Sequence, residues 1–240
     1  MLKSKIIISI FFVFLSVKVF SQVGGNMGLG YNVGTHFSNK GLNFVLDRYN
    51  ETRSYLSTKM GKPSFYRGMT YYLDFYFPKG IIDLDLTYNK SYCFAEGVDA
   101  TKTLIHRDIK FKASSWAMGF GKKIYKTKGT MGIYAGCDGN LLFISVYSRK
   151  YTVGQYKPDY EKIVSDVNLG ITPFVQWVGN RISTKAYIRL TILKNYYQEL
   201  NRYLNPNTAF KDNTNDTEGF LHSMGFSARY NLFKNYKKRK

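Results

Sequence analysis

The chain has 240 residues, with 35 Lys and Arg against 16 Asp and Glu and a formal net charge of +19. This length favours one domain of moderate size. The basic excess is typical of proteins that meet nucleic acid, phosphate-bearing lipid or another anionic surface, and composition alone does not choose among these partners.

The first residues have the layout of a secretory signal peptide. Lys3 and Lys5 precede an apolar run from Ile6 to Val17, and small or polar residues follow around Ser21. Because this run is short for a membrane span, we expect residues 1–22 to be a cleaved signal peptide, with an uncleaved anchor helix as the alternative. An exported protein is a poor candidate for a nucleic-acid partner, so we expect the positive charge to meet anionic lipid.

The segment from Thr70 to Tyr88 alternates between apolar and polar residues with a period of two. The parity of the alternation reverses across Pro78, and Asp83 and Asp85 then share the polar face. A period of two predicts two strands, and the short junction from Phe77 to Gly80 predicts that they form an antiparallel hairpin.

Six further segments repeat this alternation and, with the hairpin, predict an all-β chain of about eight strands, the smallest closed transmembrane barrel. They are residues 27–37, 108–120, 131–143, 166–177, 185–192 and 224–232. In the second of these segments the parity changes at Ser114 and Ser115. We interpret the change as a β-bulge that keeps Ile109 and Phe111 on the same apolar face as Trp116.

Short and long connections alternate strictly along the chain. Tight turns are expected at residues 77–80, 125–129 and 178–181, and long polar segments at 38–67, 89–107, 145–164 and 195–219. This asymmetry is typical of an antiparallel outer-membrane barrel with short periplasmic turns and long extracellular loops.

The apolar face of the strands is predicted to meet lipid, and the polar face to line the barrel interior. Glycines such as Gly28, Gly30 and Gly136 recur on the polar face, where they suit a crowded interior better than a solvent-exposed surface. This argues against a soluble lipocalin-like barrel, which stays as an alternative. The residues assigned to the lipid-facing side are Leu73, Phe75, Leu84, Leu86, Ile133, Leu169, Ile171, Ile188, Leu190 and Phe226.

Charged residues of both signs fall on the polar face. We expect them to pair inside the barrel, because burial of an unpaired charge is costly. The predicted interior charge network consists of Asp74, Asp83, Asp85, Asp138, Asp166, Lys110, Lys112, Arg189 and Arg229.

With these features the chain resembles the small Gram-negative outer-membrane β-barrel family, the OmpA-like and OmpX-like eight-stranded barrels. The resemblance covers residues 23–233 and depends on the strand pattern, not on a diagnostic motif. It implies a single transmembrane β-barrel in the outer membrane. Phe233 matches the aromatic residue that commonly ends such barrels, but a basic tail, residues 234–240, follows it.

Motifs for chemistry are scarce. Asp83 and Asp85 share a face, as paired catalytic carboxylates would, but an interior ion-pair network explains them better. His36 and Ser38 have the His-x-Ser spacing of lipid A deacylases. Their parity directs both side chains into the barrel, away from the acyl chains that such an enzyme cleaves. We expect no catalytic residue, no metal site and no cofactor.

The sequence therefore predicts a monomeric, non-enzymatic outer-membrane barrel with a structural or surface-interaction role. That role is envelope integrity, adhesion or contact with lipopolysaccharide, whose phosphates suit loops rich in Tyr, Lys and Arg. A lipid A-modifying enzyme, an accessory barrel of a protein-export machine and a soluble exported barrel are the alternatives. An eight-stranded interior is too narrow for a general porin.

Overall fold

The computed structural model describes residues 24–77, 79–126 and 131–235. The predicted signal peptide, residues 236–240 of the basic tail, and parts of the turns at 77–80 and 125–129 lie outside the described residues.

Eleven strands and two α-helices occur in the described chain. The helices are α1 (Lys40–Glu51) and α2 (Gln198–Leu204), and two 3-10 turns cover Ala209–Lys211 and Thr214–Thr217. Neither α-helix has the length and apolarity needed to cross a membrane. The strands are β1 (Gly24–Ser38), β2 (Leu56–Thr58), β3 (Phe65–Phe77), β4 (Gly80–Val98), β5 (Leu104–Lys126), β6 (Gly132–Thr152), β7 (Glu161–Val178), β8 (Ile182–Thr191), β9 (Asn195–Tyr196), β10 (Glu218–Gly219) and β11 (His222–Asn235).

Eight of these strands close into an antiparallel barrel. The first and last of them, β1 and β11, pair from Gly25 with Asn235 to Ser38 with His222. The remaining order around the ring is β3, β4, β5, β6, β7 and β8, and β8 pairs with β11. The predicted eight-stranded antiparallel barrel is confirmed.

The outer wall carries a continuous belt of exposed apolar side chains. On β1, alternate residues from Met27 to Phe37 point outward, while Asn26 and Asn32 on the opposite face are fully buried. Ten residue steps at about 3.3 Å each, inclined by about 40°, span about 25 Å, the height of the apolar band of a transmembrane barrel. We call this band the apolar belt.

The barrel interior changes character along its length. Toward one end polar side chains predominate, including Asn26, Asp83 and Gln176, beside a small apolar cluster that contains Ile81 and Val178. At the other end the interior is filled with apolar side chains, including Ile109, Phe111 and Ile144. On β6 the change occurs between Asn140 and Leu142, which are consecutive inward-facing residues.

The predicted β-bulge at Ser114 and Ser115 is wrong. The interior changes character at this level, while the strand itself continues without interruption. β5 stays in register with β4 from Leu104 to Lys122 with no shift, so its odd-numbered residues face inward throughout. Ile109, Phe111 and Ala113 are therefore buried inside the barrel. The parity of the sequence changes because the environment on each side of the wall changes, while the strand continues regularly.

Two of the four predicted long loops are mostly strand. Only residues 99–103 join β4 to β5, and only residues 153–160 join β6 to β7. β5 is 23 residues long and β8 only 10, so β4, β5 and β6 rise above the rest of the wall. Their inward residues in this region, Cys93 and Ala95 among them, pack in the same apolar core.

The other two long connections fold into a cap over the apolar end of the interior. On α1 the residues Leu42, Val45, Leu46 and Tyr49 follow the spacing of one helical face, and all are buried. They pack in one core with Leu200 and Leu204 of α2 and with Phe111 and Ile144 of the wall. We call α1, α2 and the chain around them the cap.

Arg53, which follows α1, links it to the end of α2. Its guanidinium donates to the Leu204 carbonyl oxygen at 2.5 Å and to the Asn205 Oδ1 atom at 3.2 Å, and it lies 3.9 Å from the centre of the Tyr49 ring. Arg48 of α1 adds an ion pair with Asp212, at 3.3 Å. The cap is therefore a packed and hydrogen-bonded unit.

We predict that Leu46→Ala reduces the free energy of unfolding by about 2–5 kcal/mol, because it opens a cavity at a fully buried site. Urea titration of the protein folded in detergent measures this loss. The neighbouring Asp47 makes only a half-exposed ion pair with Lys62. Asp47→Ala should thus cost less than about 1 kcal/mol. Equal losses in the two variants would contradict a cap held by its apolar core.

Candidate functional site

The polar end of the interior holds a cluster of four carboxylates and two cations. Alternation along the strands directs all six side chains inward: Asp74 from β3, Asp83 and Asp85 from β4, Asp138 from β6, Lys185 from β8 and Arg229 from β11. Each is less than 7% exposed. We call these six residues the interior charge cluster.

Lys185 lies at the centre of three carboxylates. Its ammonium donates to Asp83, to Asp85 Oδ2 at 2.8 Å and to Asp138 Oδ2 at 2.6 Å. The ammonium also lies 4.2 Å from the centre of the Phe174 ring. The three carboxylates could hold a metal ion by their spacing, but the ammonium occupies the position that the ion would take.

Arg229 joins two of these carboxylates, Asp83 and Asp85, to Asp74. Its guanidinium donates to Asp85 Oδ2 at 2.5 Å and to Asp83 Oδ1 at 3.3 Å, and lies 3.8 Å from Asp74 Oδ1. The second oxygen of Asp74 accepts from Tyr76 and from Gln176, both at 2.9 Å. These contacts tie together strands on opposite sides of the barrel. The geometry is that of a structural brace, because the charged groups are bonded to one another.

The remaining predicted network residues lie elsewhere. Arg189 faces the interior but donates to Ser115 Oγ, at 3.0 Å, and makes no ion pair with a described residue. Asp166 accepts from the backbone nitrogens of Val167 and Tyr196 and lies apart from the cluster.

The prediction that Lys110 and Lys112 line the interior is wrong. Both project from the outer wall, where the Lys112 ammonium lies 4.4 Å from the Tyr147 ring and the Lys110 ammonium 4.8 Å from the Tyr160 ring. The error follows from the assumed bulge in β5. The cation that takes their place is Lys185, which the prediction left out although it shares a strand face with Arg189. That shared face was the available signal.

All ten residues assigned to lipid contact project outward, alternating with inward residues on their strands. They belong to the apolar belt, and their exposed fractions include 49% for Leu86, 47% for Ile188 and 44% for Phe226.

His36 lies inside the wall, with its ring centre 4.8 Å from that of Tyr66 and 5.5 Å from that of Phe111. The Ser38 side chain lies outside the described part of the structure. The interior position of His36 separates it from the apolar belt.

No protein-family model matches the chain, and no curated protein sequence does. Among solved structures, the chain is similar to Ail, the attachment invasion locus protein of Yersinia pestis, solved in complex with the heparin analogue sucrose octasulfate. The match has 12% identity and a TM-score of 0.43, and it covers 87% of this chain and 98% of Ail. Neisserial surface protein A matches with 10% identity and a TM-score of 0.42, over 87% of this chain and 99% of its own.

We predict that Lys185→Ala lowers the free energy of unfolding by about 3–5 kcal/mol, because it leaves three buried carboxylates without their shared cation. Calcium prefers carboxylate oxygens, so millimolar Ca²⁺ should restore part of the loss in this variant and leave the wild type unchanged. Unfolding in urea, with and without Ca²⁺, measures both effects.

Lys150→Ala is the matched control, since Lys150 is exposed on β6. It should change stability by less than about 0.5 kcal/mol. A Lys185→Ala protein as stable as this control would show that the interior charge cluster does not brace the barrel.

Proposed function

We propose that the protein is a monomeric, non-enzymatic barrel of the outer membrane, exported by a signal peptide at residues 1–22 that is then removed, with a structural or surface-interaction role. Outer-membrane lipid, including lipopolysaccharide, is its immediate partner, and nucleic acid is not.

One observation carries the proposal: on β5 and β6 both faces of the wall change polarity at the same level. Below that level the interior is polar and the exterior apolar. Above it, the interior is apolar and the exterior carries Lys110, Lys112 and Arg149. A barrel in water alone would have the second arrangement along its whole length. A barrel whose strands extend beyond a lipid layer requires both arrangements, the first within the lipid and the second beyond it.

The apolar belt also supports lipid contact by its extent. On β5 the outward side chains of Trp116, Met118 and Phe120 are 61%, 65% and 62% exposed, and their neighbours on β4 and β6 are mostly apolar too. Soluble monomers rarely expose such a continuous apolar surface, because each exposed apolar side chain forgoes the stabilisation of burial.

The closed interior favours a surface role over transport. The interior charge cluster fills one end, and the apolar core of the cap fills the other. What the protein then offers to its surroundings is the cap and the raised strands β4, β5 and β6. These suit adhesion, envelope integrity or lipid contact, whereas the interior position of His36 gives no support to an acyl-cleaving enzyme.

We predict that a cysteine at Tyr156 reacts with a membrane-impermeant maleimide in intact cells, whereas Cys137 does not. Tyr156 is 85% exposed beyond the cap end of the wall, and Cys137 is exposed within the apolar belt. Lipid contact therefore shields only Cys137. The measurement compares labelling of the wild type with that of Tyr156→Cys in a Cys137→Ser background. Both proteins retain the buried Cys93.

Rapid aqueous labelling of Cys137 in native membranes, at the rate found for the cysteine at residue 156, would contradict the proposal. Recovery of the protein as a soluble periplasmic monomer would do so as well.

A further inference from the structure

A row of directly opposed cations crosses three neighbouring strands on the outer wall. Arg67 of β3 pairs in register with Lys90 of β4, and Lys90 pairs with Lys112 of β5. Side chains paired in this way on one face have Cβ atoms about 5 Å apart, so the row spans about 10 Å. Lys110, two residues along β5, adds a fourth cation beside it. We call these four residues the basic row.

Like charges in direct cross-strand register repel each other. Within the described residues, no member of the basic row forms an ion pair with a carboxylate. The carboxylate next above the row, Asp108, already accepts from Arg149 Nε at 2.6 Å and bonds His106 Nε2 at 2.6 Å. The row is therefore a concentration of positive charge that the chain itself leaves uncompensated.

The position of the row identifies the anion. Directly below it lie Tyr88, Ser114 and Phe143, which are paired in register on β4, β5 and β6. Below those lie Leu86, Trp116 and Leu141 of the apolar belt. A lipid with its chains on the belt would thus place its headgroup phosphate at the basic row. Hydroxyl groups and ring faces from Tyr88, Ser114 and Tyr147 suit the sugars of a glycolipid.

The basic row ends at β3, because the neighbouring strand β1 and the strands β11 and β8 beyond it carry no such row. Outward residues within 27–37 of β1, 182–190 of β8 and 224–232 of β11 are apolar, aromatic, Ala or Thr, as in Val33, Ile188 and Phe226. A general attraction to anionic lipid would require cations all around the barrel, whereas the observed arrangement concentrates them on one flank.

We propose that the basic row is a binding site for the phosphate of a phosphorylated glycolipid in the leaflet at the cap end, with Tyr88, Ser114 and Tyr147 contacting its sugars. This inference rests on the proposed function, because it requires the apolar belt to lie in lipid.

The test titrates the detergent-folded protein with bisphosphorylated lipid A and counts bound lipid by native mass spectrometry. The variant Arg67→Gln/Lys90→Gln/Lys112→Gln should bind the bisphosphorylated lipid A at least about tenfold more weakly than the wild type does. The affinity of the wild type should fall by the same factor when the lipid A is dephosphorylated. The control Lys59→Gln/Lys150→Gln/Lys211→Gln removes the same charge from exposed residues away from the row. It should bind as the wild type does.

Any of the following binding results would overturn the inference: equal binding by the two triple variants, equal binding of lipid A with and without phosphate, or binding of phosphatidylglycerol equal to that of lipid A. Complete competition by inorganic phosphate at the lipid concentration would likewise overturn it, since the site would then take a free anion. If the cysteine labelling gives the expected result and the lipid A titration does not, the binding site is refuted and the proposed function still holds.

Discussion

Every residue on the wall of an eight-stranded barrel faces either a narrow interior or the outer surface, and there is no third position. A strand that runs through two environments must therefore satisfy both faces at every level. β5 shows the consequence: its inward residues change from Gly and Ser to Ala113, Phe111 and Ile109, while its outward residues change from Phe and Trp to Lys112 and Lys110. Strand geometry stays constant and residue chemistry follows the surroundings.

The two ends of the interior solve the same packing problem with different chemistry. At the end surrounded by the apolar belt, burial of polar groups is tolerable only because Lys185 and Arg229 bond to four carboxylates and bring β3, β4 and β6 together with β8 and β11. At the other end, the wall emerges from the belt, and the interior is a conventional apolar core that needs α1 and α2 to complete it. The cap thus completes the fold.

Much of this architecture could be predicted from alternation alone. The eight strands and the inward positions of Asp74, Asp83, Asp85 and Arg229 follow from a period of two, since side-chain direction is fixed once one residue is oriented. The role of Lys185 did not follow, because choosing its partners requires knowing which strands face each other across the barrel.

The failures of prediction share one physical origin. The prediction places Lys110 and Lys112 inside because it assumes that apolar residues face outward along the whole strand, and this holds only along the apolar belt. The same assumption makes residues 89–107 and 145–164 look like polar loops, although most of these residues lie in strands whose inner face includes buried apolar side chains such as Cys93, Ala95 and Val146. The helix α1 has a clear apolar stripe at Leu42, Val45, Leu46 and Tyr49. This stripe predicts a packed helix only if the barrel end below it is known to be apolar.

The two tryptophans give the most direct measurement of the central claim that lipid surrounds the belt. Trp116 and Trp177 both point outward, at 61% and 47% exposure, on different strands of the belt. With the protein folded into liposomes, lipids brominated on their acyl chains should quench the fluorescence of both, and aqueous acrylamide should quench it little. Strong quenching by acrylamide with none by the brominated lipids would contradict the claim, because it would place the belt in water.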